Sequence, residues 1–438
     1  MSKFKLLTHD LTEFIKRSPS CYHVIVNLGF MLKKKGFIEL MEENEWNLQE
    51  GGKYFVIRAD SSIIAFKVPT AKYTNYQIIA SHSDSPAFKI KENEEMDACG
   101  HYVELNVEKY GGMLCAPWFD RPLSVAGKVV VNHAGVLETK LVNIDRDLCM
   151  LPSLAIHMDR QANEGHAYKI QKEMIPIYGD ETSKGTFMNM VAKSVGVKRE
   201  DILGSDLFLY NRSAASVWGA NEEFFSAPKL DDLQCAFAAI NAFLTCENDK
   251  SVSVFCVFDN EEVGSGTKQG ADSTFLQDVL ERINECMDRT PQQYKMAVAG
   301  SFMISADNGH AVHPNYADKA DPTNHPFLNQ GPVIKYNANQ KYTTDSVSAA
   351  IFKTICEKAR VPYQTYVNNS DVAGGSTLGN ISNAHVSLNT VDVGLAQLGM
   401  HSPYETGGIK DTWYLAEAMK MFYQTTISRD ERGNYHLS

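Results

Sequence analysis

The spacing of apolar positions along the chain changes period several times, and each change predicts a different element. Residues 8–18 set Leu11, Phe14 and Ile15 on one face at helical spacing, with Pro19 closing the segment. Ser20 is placed to cap a second helix carrying Tyr22, Val24, Val26, Phe30 and Leu32. Lys33, Lys34, Lys35 and Gly36 then supply the cations and the left-handed turn of a helix end. From Tyr54 the period drops to two, and YFVIR, SIIAFKV and YQIIASHSD predict successive strands. The third delivers His82 and Asp84, two residues apart, to one face of an extended segment.

Near Glu92 the texture changes. The polar KENEEMDACG predicts a loop, and from there to about Phe225 short β-like runs (YVELNVEKY, SVAGKVVVNH, KLVNI) alternate with turns. SLAIHMDRQANEG, residues 153–165, is the most polar loop of this block. After Leu230 the pattern becomes α/β. Leu233, Ala236, Phe237, Ile240, Phe243 and Leu244 form a helical stripe, and helices are predicted at 273–287, 346–359 and 411–423. FMISAD, GPVIKYN and YQTYV read as strands, and DVAGGSTLGN as a Gly-rich turn. The expected organisation is an α/β domain in two parts, 1–92 and 226–438, around a β-rich insertion at 93–225.

The most informative run is Val252 to Phe258, unbroken apolar and followed at once by Asp259, Asn260, Glu261 and Glu262. It is far shorter than the ~20 residues of a membrane span and predicts a strand buried on both faces. Open α/β sheets place ligands at the carboxyl ends of such strands. The plainer alternative is a strand ending in a solvated acidic turn, with Gly264 and Gly266 letting the backbone reverse.

Composition narrows the classes. The 438 residues are 44% hydrophobic and 22% charged, enough for a large core, and the net charge of −11 argues against a nucleic-acid or anionic-membrane binder. Charges near the start interrupt any signal-peptide core. The nine cysteines contain no CxxC pair, which favours reduced thiols in a cytoplasmic protein.

Polar side chains fall repeatedly at predicted strand or segment ends: His82, Asp84, Asp231, Glu261, Glu262, Asp307 and His401. Singly, each has an ordinary role, such as a local hydrogen bond for His-x-Asp or a helix cap for Asp231. Together they suit a pair of divalent metals: one bridging carboxylate, then a histidine and a terminal carboxylate for each ion. Two carboxylates remain for an orienting partner and a general base.

SHSDSPAFK, KLDDL, FDNEEVGSGTKQGADS, SADNGHAVHPNY, GPVIKYN and MHSPYE occur in an order that resembles the M18 aminopeptidases, the aspartyl aminopeptidase family. The likeness extends to WFDRPLSVAGKV in the β-rich block. It implies a mixed, largely parallel sheet flanked by helices, of the dizinc exopeptidase type, acting on peptides with a free N-terminus. By this resemblance Asp231 would bridge two zinc ions, His82 and Asp307 completing one and Glu262 and His401 the other; Co²⁺ and Mn²⁺ suit the same ligands. Asp84 would orient His82, and Glu261 would be the general base. Lys335 would face an acidic N-terminal side chain, with Tyr342 beside it. His157 would reach a neighbouring subunit's site, and His313 would lie near the metals. The resemblance further implies a dimer formed through the insertion and a tetrahedral dodecamer. The family also contains members preferring neutral apolar residues, and KLDD here stands where many members read RLDN. A related amidohydrolase would need a carboxylate-binding arginine and a different insertion. A non-catalytic scaffold would show a lost ligand, and none is missing.

Overall fold

The computed structural model describes residues 2–438 apart from 373 and 376. These two belong to the expected Gly-rich turn, whose latter part enters a short helix, Leu378–Ser382. A nine-stranded mixed sheet forms the frame. Its centre is four parallel strands in the spatial order Ser251–Phe258, Asn75–His82, Phe302–Ala306 and Asn389–Gly394. All eight residues of each of the first two are buried, as their apolar runs require. Antiparallel pairing with Ser62–Lys67 on one side and Val333–Tyr336 on the other flanks this centre.

Helices cover both faces. Lys3–Arg17, Cys21–Lys34, Leu230–Thr245, Ser346–Ala359 and Asp411–Gln424 bury their apolar sides in one core. Phe275–Cys286 and Pro291–Ala299 close the other, around Phe66, Tyr76 and Phe258. The second helix differs from its expected stripe. Tyr22, Val24, Ile25, Leu28 and Leu32 are its buried residues, while Val26 and Phe30 are exposed, because only the former keep helical spacing toward the sheet. Ser20 is its N-cap residue, but the hydroxyl bonds His23 Nδ1 at 2.8 Å instead of a backbone N–H.

Between the first and second parts of this frame lies a separate antiparallel sheet of six strands, the first Ala87–Ala98 and the last Ile202–Asn211. KENEEMDACG, expected as a loop, is mostly strand. The strand starts before it, where the inward Phe88 and Ile90 alternate with lysines, and continues through it as half of a hairpin with Tyr102–Tyr110. Phe88, Trp118, Leu123, Leu207 and Phe187 give this sheet its own core. Among the described residues no helix is long and apolar enough to cross a membrane.

The register of the central strands decides what meets at their carboxyl ends. Phe258 pairs with His82, and Ser305 pairs with Ala80, so Asp307 falls beside His82 two residues further on. Asp307 is held in turn by Val393, whose carbonyl accepts its N–H at 2.9 Å. Only glycine fits next to that bond, since a Cβ on Gly394 would lie 1.8 Å from the Asp307 carbonyl oxygen. Gly394→Ala is therefore expected to cost about 1–3 kcal/mol of stability. The change reads as a lower urea midpoint with an unchanged slope, and an unchanged midpoint would show that the two strands separate freely.

Candidate metal centre

Each ligating candidate is delivered by a sheet end or by a segment packed on one. His82 is the last residue of its strand, and Asp307 follows Phe302–Ala306 directly. Asp231 and Asp232 sit where Leu230–Thr245 begins, but with non-helical backbone angles, after Lys229 at φ +58°. Asp231 is thus not a helix cap. Its N–H is instead taken by Glu405 Oε2 at 3.0 Å.

The acidic turn after Phe258 is tightly made. Asn260 enters it at φ +62° and Gly264 leaves it at φ +99°, with Glu261–Val263 forming a single helical turn between them. Gly266, expected to help the reversal, does not adopt positive φ; Ser265 does, its N–H bonded to Asn260 O at 2.7 Å. The Asn260 side chain is fixed by Tyr110, Thr267 and Gln269. Asp84 then accepts both the Glu261 N–H and the Glu262 N–H at 3.2 Å, together with the Tyr110 hydroxyl at 2.7 Å. Its Oδ1 also lies 3.3 Å from His82 Nδ1.

The side chains converge around Asp231. Its Oδ1 is 3.5 Å from His82 Nε2 and its Oδ2 is 3.5 Å from His401 Nε2. His401 Nε2 is also 3.4 Å from Glu262 Oε2. Three sets of donor atoms, each lying within 4.8 Å of one another, follow: His82 with Asp231, Asp232 and Asp307; His82 with Glu261 and Glu262; Asp231 with Glu262 and His401. Asp231 belongs to the first and third, offering one oxygen toward each histidine.

The electrostatics fit a cation. Asp231 Oδ1, Asp232 Oδ1 and Glu262 Oε1 are buried and accept no hydrogen bond among the described residues. Burial, reinforced by Asp231, raises Glu262 well above the usual carboxylate range. Burial raises Glu261 to about 8 and Asp307 to about 6, the latter eased by Lys335. Burial works against His82's charge, yet Asp231 and Asp84 hold its pKa above the ordinary value. Imidazole and carboxylate oxygen at these separations are a donor set suited to zinc and its neighbours.

Lys335 is 2% exposed. Its ammonium donates to Asn308 O at 2.8 Å, stands 3.8 Å from Asp307 Oδ1 and lies 5.5 Å from the Tyr342 ring. His157 and His313 are not among the clustered donors. His157 sits in an exposed turn, and His313 is exposed with its Nδ1 accepting from Asn315 N–H at 3.2 Å. Two residues that sequence reasoning passed over hold the centre together. Glu405, buried and raised to about 8 by burial and Asp231, accepts the N–H groups of both Asp231 and His401. It lies within MHSPYE, so the segment was visible but its acid was not singled out. Tyr110 comes from the β-rich block, and no local pattern marks it.

The family model described as Aminopeptidase I zinc metalloprotease (M18) matches residues 14–423. A probable M18 family aminopeptidase 2 of Clostridium acetobutylicum is 45% identical over 421 residues, covering 94% of this chain and 97% of its own. A probable M18 family aminopeptidase 2 of Pseudomonas aeruginosa is 38% identical over 428 residues, covering 96% and 98%. A chain in the cryo-EM structure of the Ape4 and Nbr1 complex superposes with a TM-score of 0.93 at 36% identity, over 96% of this chain and 86% of that one. The S. cerevisiae mApe1 dodecamer is similar at a TM-score of 0.85 and 26% identity, over 96% and 97%.

Linkage gives the pH behaviour of the metal-free chain. Glu261, Asp307 and Glu405 have folded-state pKa values above those of the unfolded chain, so the folded state holds extra protons and loses stability as they leave with rising pH. His82, also raised, acts in the same direction, losing its contribution as pH rises through its folded value. With chelator the melting temperature should fall between about pH 5 and pH 8, and zinc should abolish most of that fall by taking the protons' place. Equal pH profiles with and without zinc would remove these carboxylates from the metal centre.

Proposed function

The chain belongs to the M18 family of zinc aminopeptidases, and on that premise we propose that Glu261 is the general base and that acidic N-terminal residues, Asp and Glu, are preferred. The observation that carries the catalytic reading is Asp231, one carboxylate with an oxygen facing each histidine and Glu261 beside the cluster. In this reading His82 and Asp307 would hold one zinc, Glu262 and His401 the other, and Asp231 would serve both. When bound, zinc would supply Lewis acidity for the scissile carbonyl and the attacking water and an anchor for a free α-amine, which would restrict cleavage to the first peptide bond.

The side chains perform the rest. Glu261 makes no side-chain hydrogen bond among the described residues, and a raised pKa makes its carboxylate a stronger base. It takes the proton from the attacking water and returns it to the leaving amine. Asp84 holds the backbone of the 261–262 turn and the His82 ring, so base and ligands keep one arrangement. For specificity, the ammonium of Lys335 on the site floor would pair with a substrate carboxylate, with Tyr342 alongside.

The alternative, a preference for neutral apolar residues, is favoured by one observation: Lys335 already has Asn308 O and Asp307 as partners. Self-association through the 93–225 block, as dimers within a tetrahedral dodecamer, completes the proposal. It is supported by the exposed Leu154, Ile156 and Met158 around His157, and by the dodecameric state of S. cerevisiae mApe1. A cytoplasmic setting accords with nine unpaired cysteines.

Glu261→Gln should retain both zinc ions by elemental analysis while kcat falls by about 10²–10⁴. Near-normal turnover would take the base role away from Glu261. Specificity is read from initial rates on aminoacyl anilides of Asp, Glu, Leu, Ala and Lys. The acidic pair should lead, and Lys335→Met should reduce kcat/KM for Asp and Glu by about tenfold more than for Leu, as the loss of a charge-assisted hydrogen bond would. Leu leading in the wild type, or equal losses in the variant, would select the neutral alternative.

A further inference from the structure

The metal centre has a second side. Behind Asp84 and Asp231, where the nine-stranded sheet meets the six-stranded one, the fold encloses a cavity of about 460 Å³. Its walls include Ser85, Tyr110, Trp118, Tyr210 and Lys229, and they include neither histidine of the metal cluster, nor Glu262, Asp307, Lys335 or Tyr342. The volume lies within the roughly 300–1,000 Å³ typical of small-molecule sites.

Two donors in this wall are short of partners, while its orphaned acceptor, Asp231 Oδ1, faces His82 in the metal cluster. Trp118 is 2% exposed, and its Nε1–H has no acceptor among the described residues. Lys229 Nζ donates to Ser18 O at 2.7 Å and lies 5.9 Å from the Tyr210 ring, with no carboxylate of the described residues within 4.0 Å. Two other lysines of the wall are already matched, Lys89 with Asp206 at 2.8 Å and Lys128 with Asp60 at 3.1 Å. Tyr22, Phe208 and Tyr210 add apolar surface. The wall also carries carboxylates, of which Asp60, Asp206 and Asp84 are matched by Lys128, Lys89 and Tyr110; the two unmatched donors call for an acceptor carrying negative charge, and the aromatic surface for a hydrophobic body.

We propose that this cavity is a binding site for a small carboxylate carrying an apolar or aromatic body, its acceptors meeting Lys229 Nζ and Trp118 Nε1. The site is separate from substrate binding but touches residues that hold the catalytic centre. Ser85 Oγ donates to Asp231 O at 2.8 Å, and the Tyr110 hydroxyl donates to Asp84 Oδ2 at 2.7 Å. An occupant therefore leans on the supports of the bridging aspartate and of the 261–262 turn, and it acts on turnover without competing with peptide.

The probe is 3-phenylpropionate, titrated into the zinc-loaded enzyme by calorimetry, with neutral 3-phenylpropanamide as its isostere. The carboxylate should bind at least tenfold more tightly than the amide, and its effect on peptidase rate should be non-competitive. Trp118→Phe keeps the ring packing but removes the N–H, and should weaken the probe by about tenfold, the worth of one hydrogen bond to a charged group. Should that variant not fold, Lys229→Met serves the same comparison. Crystals soaked in 3-(4-bromophenyl)propionate locate the ligand without any variant, and the bromine should lie inside the cavity. No binding by the carboxylate, equal binding by the amide, unchanged affinity in the variant, competitive kinetics, or bromine found only at the metal cluster or on the surface would each overturn the proposal.

Discussion

Everything in this fold answers to the repulsion among carboxylates gathered at one point. Asp84, Asp231, Asp232, Asp307 and Glu405 are all at least nine-tenths buried, with Glu261 and Glu262 close by. Two imidazoles and the Lys335 ammonium are the cationic side chains set against them. Such a nest is unfavourable unless its charges are hydrogen-bonded, protonated or met by metal. Backbone N–H groups aimed at Asp84 and Glu405 supply the first, raised pKa values at Glu261 and Asp307 the second, and the buried oxygens without protein partners suit the third. The parallel centre of the large sheet is what brings the acids together, since neighbouring strands end level with one another and the register leaves their terminal residues side by side.

The six-stranded sheet is part of this arrangement and not a mere attachment. Tyr110, at the end of its second strand, gives its hydroxyl proton to Asp84 and accepts from Asn260. A residue of the inserted sheet thus braces the turn on which the chemistry depends. The cavity behind the cluster lies along the same seam, so the junction that braces the centre is also where a small molecule has access to it.

Much of the cluster is legible in the chain because its candidate ligands punctuate apolar runs. Val252 to Phe258 followed by two glutamates marks a buried strand and its functional end, and His82 and Asp307 close strands of the same kind. The helices at 346–359 and 411–423 were equally plain from their spacing. What could not be read locally depends on distant partners. KENEEMDACG looks like a loop because it is largely polar, and only the pairing with Tyr102–Tyr110 makes it strand. Glu405 and Tyr110 stand out in no local pattern; their roles exist only once the chain has folded, Glu405 meeting Asp231 across 174 residues and Tyr110 meeting Asn260 across 150. Asp231 resembles a helix cap in sequence, whereas in the fold its backbone is non-helical and its N–H bonds the distant Glu405.

One detail of the acidic turn reaches further. Because Asp84 receives the N–H groups of both Glu261 and Glu262, two glutamates with different proposed tasks hang from a single support. They shift together or not at all. A change of chain length between Phe258 and Gly264 would displace both, so this stretch tolerates neither insertion nor deletion. The strand Val333–Tyr336, which presents Lys335 from the opposite side of the sheet, carries no such double duty. The two glutamates therefore behave as one rigid body whose position is set by Asp84, whereas Lys335 is positioned independently of them through Asn308 and Asp307.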